Sequence, residues 1–543
     1  MSNRSNSTDT PKGNIQGFKT SAKDDFVSGF LVFLIALPLC LGISLASGYP
    51  AIAGIITAIV GGLVATFVSD SELTIKGPAA GLIVIALGCV TEFGYTGGDD
   101  LEQDFQAYRL ALGVGVGAGV VQILFGILRI GSLTEFFPKA AIHGLLAAIG
   151  IIIIAKQLPI LLGLHPHGSP LSLIARIPSF ITDMNPKVGL IGILSIMIVV
   201  SYVFIKNKKF KIIPAPMMML VVTVPLGIYM GLGGSTTYTF NGKIFELGEK
   251  FLVNVPLDVI NDLTLPDFSG LFTETGIKYI ILFSIIGALE SLLSAKAIDE
   301  IDPWHRKTNM DRDMLGIGVG NTLSAFLGGL PMISEIVRSK ANIDNGAKTR
   351  FANFYHGMFL LFAVTLISSW INHIPLAALA ALLVVTGFRL ASPNEFKHMY
   401  ALGKDQFLIF ITTIIAVLET DLLKGIGIGI ALNIVLHLIR GVSMISFFRL
   451  NAEVEEESDQ SIKIILRDSI IFSTWLSLRK RIYHAYKLNK RVTIDLSETV
   501  LVDSHVQSKL DEWEKEFDIK GLELSIVGLD LHKKSGAVLI KRK

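Results

Sequence analysis

The stretch Gly328–Gly346, GGLPMISEIVRSKANIDNG, places two charges, Glu335 and Arg338, just behind the apolar PMIS. Apolar runs flank it, Met314–Leu327 before and Phe351–Trp370 after. A few extended residues and Pro331 lead into a short helical run. About 11–14 residues at 1.5 Å rise reach roughly 16–21 Å, against a bilayer core near 30 Å. The segment is therefore too short to span and begins near mid-membrane.

A second stretch, LTIKGPAAGLIVIALGCV (Leu73–Val90), shares the plan. Pro78 and Pro331 each suit a first helical turn, which has no intrahelical N–H bond to lose. Half-helices of this kind expose free N–H groups and the positive dipole end at membrane depth. Irregular backbone there is tolerated around a cavity, and a matched pair of broken helices marks a transporter's binding site. Two facing helix N-termini make an anion site. The plainer alternatives are two re-entrant structural elements, or two ordinary helices with blurred ends. Pro38, in LIALPLCLGISLASG, adds a third interruption near the same depth, where a lone proline ordinarily means a kink.

The rest of the chain fits this setting. It has 543 residues, of which 51% are hydrophobic and 17% charged, with mean hydropathy +0.58. A soluble domain of that length needs more charge to cover its surface, so the composition indicates membrane embedding. Other apolar runs are Phe26–Ala46, Ala51–Val68, Ala107–Leu128, Ala140–Leu162, Val188–Ile205, Ile213–Leu232, Ile277–Leu293, Ile374–Leu390, Phe407–Leu418 and Leu422–Ile439. With both short segments this makes about 14 transmembrane segments by the roughly 20-residue criterion, in a polytopic α-helical membrane protein. Basic loops at Lys206–Lys211, His305–Arg312, Arg338–Arg350 and Arg389–Lys404 follow even-numbered segments, which puts both termini in the cytosol. Residues 1–24 are polar and read as a cytosolic tail rather than a signal peptide. The transport domain is expected at 25–442.

Beyond it, 443–460 reads as an acidic linker, carrying NAEVEEESDQ. Residues 461–543 alternate short apolar strands with helix-spaced segments, a small cytosolic α/β domain. A net charge of +2 gives no reason to expect nucleic acid. Cys40 and Cys89 sit in apolar runs without metal or disulfide spacing, and the HPH of His165–His167 lies in a loop. No nucleophile–base set, metal motif or phosphate loop indicates an enzyme, and no cofactor is implied.

Glu290, Glu335 and Arg338 are charges at membrane depth, each costing about 2.5–3.5 kcal/mol on insertion scales. Glu335 and Arg338, three apart, share a helix face, so they are either a self-neutralising pair or groups facing a solute. Glu290 can pair with Arg338 from a separate helix. Ser294, four residues on, shares the face of Glu290. A carboxylate with a hydroxyl can hold Na⁺, and a buried carboxylate can carry H⁺ instead.

In order along the chain, LPLCLGISLASGYPAIAG, SELTIKGPAAG, FFPKAAIHGLLAAIGIIIIAKQLPILLG, GALESLLSAKAID, GGLPMISEIVRSKANIDNGAKT and TDLLKGIGIGI resemble the helix motifs of the SulP anion transporters. VTIDLSETVLVDSHVQSKL resembles the core of the STAS domain that follows their membrane part. The resemblance implies two inverted seven-helix repeats, a core domain that moves against a gate domain, and a homodimer in the lipid of the inner or plasma membrane. It implies an anion between the third helix, which opens at Gly77, Pro78, Ala79 and Ala80, and the tenth. There the backbone of Ser334, Glu335, Ile336 and Val337 would contact it and Arg338 would attract it. It makes Glu290 and Ser294 the cation-coupling positions. Leu39, Val337 and Glu335 depart from the pattern, and a carboxylate at 335 opposes anion binding unless paired or protonated. In the STAS part the departure is DSHV around Ser504, where a docking or regulatory role is expected more than phosphorylation. The expected function is secondary transport of sulfate or bicarbonate, coupled to H⁺ or Na⁺. The alternatives are a nucleobase permease of the same architecture and an anion-sensing scaffold without net transport.

Overall fold

The computed structural model describes residues 10–131, 138–165, 168–205, 213–256, 258, 263–535 and 538–541. Residues 1–9 of the expected tail, the basic loop Lys206–Lys211 and His167 of the HPH triplet lie outside the described residues. The chain divides into two compact units, residues 1–131 with 149–389, and residues 132–148 with 390–543.

The first unit is helical. α1 (Ile15–Ala46) begins where Asn14 accepts a hydrogen bond from the Gly17 amide at 2.9 Å. That cap carries the helix back through residues 15–24, expected as tail. Pro38 sits inside α1 without ending it. α2 (Ala51–Val60) continues through a π-turn at Gly61–Ala65. β1 (Ile75–Pro78) leads through a 3-10 turn, Ala80–Leu82, into α3 (Ile83–Glu92). α4 (Leu101–Ile127) is capped by Asp100, which accepts from the amides of Glu102 and Gln103. After helix Lys139–Leu161, which belongs to this unit from Ile149 on, helices Pro186–Phe204 and Ala215–Tyr229 and a hairpin (Thr236–Phe240, Lys243–Leu247) come α5 (Glu274–Ile301) and α6 (Met310–Phe326). β2 (Met332–Glu335), α7 (Ile336–Asp344), α8 (Phe351–Leu366) and helix Leu376–Leu390 complete the unit.

Among the described residues, seven helices are long and apolar enough to cross a membrane. Ala80–Glu92, Pro186–Tyr202, Ala215–Tyr229 and Phe351–Leu366 are apolar but shorter. Every apolar run expected from the sequence is helical over most of its length, apart from the extended starts of the two short ones. Close helix contacts rest on small residues: a Cβ at Gly119 would meet the Thr322 backbone at 2.5 Å, and one at Gly318 the Ile123 backbone at 2.5 Å, so α4 and α6 pack backbone to backbone.

The second unit holds helices Pro393–Leu402, Lys404–Glu419 and Leu422–Ile439 and an α/β domain. Its strands are β3 (Asn451–Ser458), β4 (Ser461–Ile470), β5 (Arg491–Val502), β6 (Leu524–Val527), β7 (His532–Ser535) and β8 (Val538–Lys541), with α9 (Trp475–Lys487) and α10 (Ser504–Lys520). The sheet order is β3-β4-β5-β8-β7, with β6 also pairing β5. Trp475, Ile464, Ile494 and Phe517 are fully buried in its core. The acidic stretch expected as a linker is instead the edge strand β3, paired antiparallel with β4. Glu453 and Glu456 reach Arg467 and Lys490 at 3.1 and 3.0 Å, and a charged edge resists pairing with other chains.

Candidate functional site

β1 and β2 pair antiparallel, with Ile75 opposite Glu335, Lys76 opposite Ser334, Gly77 opposite Ile333 and Pro78 opposite Met332. Directly opposed residues point to the same face of a ladder, and the faces alternate along it. The pairing thus sorts the side chains: Gly77 and Glu335 go to one face, Lys76 and Ser334 to the other. Each strand feeds a half-helix, α3 and α7, as the sequence implied. The prolines are placed differently. Pro78 ends β1 and Pro331 precedes β2, so neither occupies a first helical turn; the helices start at Ala80 and Ile336. Proline without its N–H suits the end of a two-stranded ladder as well as it suits a helix start.

On the first face, Arg338 is 1% exposed. Its guanidinium donates to the Pro78 carbonyl and, at 3.5 Å, to the Cys40 thiol. It lies 3.8 Å from the Glu335 carboxylate, whose side chain is 15% exposed. Arg338 also crowds Gly77, where a Cβ would sit 2.7 Å from the guanidinium. Glu335 stands at the N-cap of α7 but makes no cap bond to its own helix. Its carboxylate instead interacts with the Ala80 backbone N–H. Among the described residues, one oxygen of Glu290, on α5, has no hydrogen-bond partner, and neither has Nε of Arg338. No ion pair joins Glu290 to Arg338 among the described residues, contrary to the pairing considered from the sequence; Arg338 turns to Pro78 and Glu335 instead. The Glu290 carboxylate packs where a Cβ at Gly81 would stand, so glycine there lets it approach the start of α3. Ile336 and Val337 are each 45% exposed, with their amides in the first turn of α7. Ala79 is buried and Ser294 is half-buried.

On the second face, Lys76 pairs with Asp313 of α6 at 3.4 Å, the two 1% and 0% exposed. Lys76 also donates to Thr74 at 2.6 Å, and Asp313 accepts from Ser69 and, at 3.4 Å, from Ser334. Ser291 accepts from the Ser334 amide at 3.0 Å, so on α5 it is Ser291, more than Ser294, that holds the strands. Asn342 ties α7 to α1 and to the start of β1, accepting from Ser28 at 2.7 Å and donating to the Leu73 carbonyl at 3.0 Å. Sequence reasoning passed over Lys76, Asp313, Ser291 and Asn342, although a lysine inside LTIKGPAAG was a visible signal. It also passed over Cys40 as a plain buried residue, and it is one of the contacts of Arg338.

A cavity of about 510 Å³ is lined by α1 at Gly42, α3 at Leu87 and Thr91, and Lys156, Gln157 and His165. The lysine interrupts the apolar run before it, IIIIAKQL, and no carboxylate pairs with it among the described residues.

The sequence model of the Sulfate permease family matches residues 23–413. The Bacillus subtilis (strain 168) protein YvdB is 23% identical over 531 residues, covering 95% of this chain and 92% of its own. The bicarbonate transporter BicA of Picosynechococcus sp. is 24% identical over 77% of this chain and 70% of its own. Among solved structures, the murine Slc26a9 anion transporter in its inward-facing state superposes with a TM-score of 0.66 at 14% identity, covering 94% of this chain and 86% of that one. The fold is thus that of a multi-pass membrane transporter followed by a STAS-type domain.

Proposed function

We propose, from the premise that this chain belongs to the sulfate permease family, that it is a secondary transporter of a small inorganic oxyanion, sulfate or bicarbonate, coupled to H⁺ or Na⁺. One observation carries the reading: two half-helices begin on one strand pair, with the buried guanidinium of Arg338 between them. Free amides at helix starts and a fixed cation bind a compact anion. Near the site the walls are backbone, apolar side chains, the guanidinium of Arg338 and the carboxylates of Glu335 and Glu290, with no side-chain amide to read the edge of a nucleobase among the residues described there. Glu290, with an unpartnered oxygen facing the start of α3, is the cation-coupling group. Movement of a core domain against a gate domain, a homodimer in the plasma membrane, cytosolic termini and docking of a regulator on the STAS domain complete the proposal. Basic loops such as His305–Arg312 support the orientation.

The test is uptake of labelled sulfate and bicarbonate into liposomes under imposed pH and Na⁺ gradients. Unit charges about 4 Å apart at an effective dielectric near 20 interact by about 4 kcal/mol. Arg338→Ala is therefore expected to weaken anion affinity at least tenfold, and Glu290→Gln to uncouple uptake from the cation gradient. Unchanged, gradient-driven uptake by the doubly substituted protein refutes both roles. Anion binding without flux in the wild type points to the sensing scaffold instead.

A further inference from the structure

We infer that Glu335 is a tethered anion: its carboxylate occupies the place a transported anion takes, and a proton releases it. This rests on the transport reading above and goes further, assigning one residue as the point where anion and proton compete. A carboxylate at an N-cap ordinarily bonds the second or third amide of its own helix. Glu335 makes no such bond. It reaches across to the Ala80 amide at the start of the opposite half-helix, and it lies 3.8 Å from the Arg338 guanidinium. Those are two groups that would hold an oxyanion, the amide from the α3 side and the guanidinium from α7, and one protein carboxylate engages both. Meanwhile Nε of Arg338 and one oxygen of Glu290 stay buried and unpartnered, donor and acceptor left for another ligand set.

The groups facing Glu335 come from each neighbouring element. Arg338 lies on its own helix, Glu290 on α5, the Cys40 thiol on α1 and the Ala80 amide on the α3 side. His356 of α8 stands by Arg338, and neither ring nitrogen has a hydrogen-bond partner among the described residues. Lys76 and Asp313 sit on the other face of the strand pair and neutralise each other. When the carboxylate takes a proton it loses its attraction for the amide and the guanidinium, and the incoming anion takes both. The proton enters with the anion. When the anion leaves on the far side, Glu335 ionises there and covers the site again. In each cycle Glu335 moves one proton with one anion, beside the cation assigned to Glu290.

Binding of labelled sulfate to the full chain in nanodiscs tests this, because sulfate keeps its charge across about pH 5.5–8 while a carboxylate titrates. Competition with one ionising group weakens binding by up to about tenfold per pH unit. Wild-type protein should bind sulfate more weakly as pH rises, and Glu335→Gln should bind tightly and without that slope. Glu335→Asp, one methylene shorter and unable to reach Ala80, should keep its charge yet bind sulfate better than wild type at high pH. A wild-type slope retained in Glu335→Gln overturns the inference, as does sulfate binding abolished in that variant with the protein still folded. Wild-type protein that neither binds nor transports any tested anion overturns the transport reading itself.

Discussion

Removing one member of the Lys76–Asp313 pair should damage the protein far more than removing both. At 3.4 Å and an effective dielectric near 20, the pair's attraction is about 5 kcal/mol. Neither side chain is more than 1% exposed, so water cannot replace a lost partner. Lys76→Met leaves a bare carboxylate against Ser69 and Ser334, and Asp313→Leu leaves a bare ammonium with Thr74. Each single change is expected to cost about 3–5 kcal/mol. The double substitution removes both desolvation penalties and should fall within about 1 kcal/mol of wild type, giving a large favourable coupling in a double-mutant cycle. The measurement is unfolding of full-length protein in nanodiscs, with anion uptake recorded alongside. Single variants that cost less than about 1 kcal/mol, or a double variant as damaged as the sum of the singles, would refute the claim that the two charges sustain each other.

Gly81→Ala should cost about 1–3 kcal/mol and suppress uptake, because the new methyl collides with the Glu290 carboxylate and overpacking forces neighbours aside. Gly427→Ala, at a position with open space around it, should be neutral or stabilising by up to about 1 kcal/mol; a folding assay with uptake separates the two. Ser291→Ala strips the Ser334 amide of its side-chain partner and is expected to lower stability by about 1–3 kcal/mol. In the STAS-type domain, burial pushes the Asp503 carboxyl up to about 7, against the amides of Val506 and Phe472 that favour its ionised form. The folded domain then holds a proton that the unfolded chain has released, so stability is full in acid and falls as pH rises from about 3.8 to about 7. Asp503→Asn should flatten that slope in unfolding curves across the window.

The two half-helices were legible because a stretch too short to span betrays itself by length alone, whatever its ends do. Their prolines misled: a residue that suits a helix start equally suits the end of a strand lacking donors, and the choice was made by partners about 250 positions away in a ladder no local pattern announces. The same ladder explains why Lys76 and Asp313 went unread. Asp313 directly follows the basic loop His305–Arg312 in the sequence, and its role depends on Lys76 being turned toward α6. The acidic β3 read as a linker because charge dominates its composition, while its pairing with β4 came from the neighbouring strand. Glu335 was visible as an anomaly from the start. That its carboxylate leaves its own helix for the opposite one follows from tertiary placement alone.

The antiparallel pairing of β1 and β2 makes the two faces of the ladder sensitive to parity. Side chains alternate with a period of two, so a single residue inserted between Lys76 and Gly77 would turn the ammonium onto the face that carries Glu335. A two-residue change would keep the polarity and disturb little beyond the loop. The family's tolerance for length variation at this spot should therefore come in even steps.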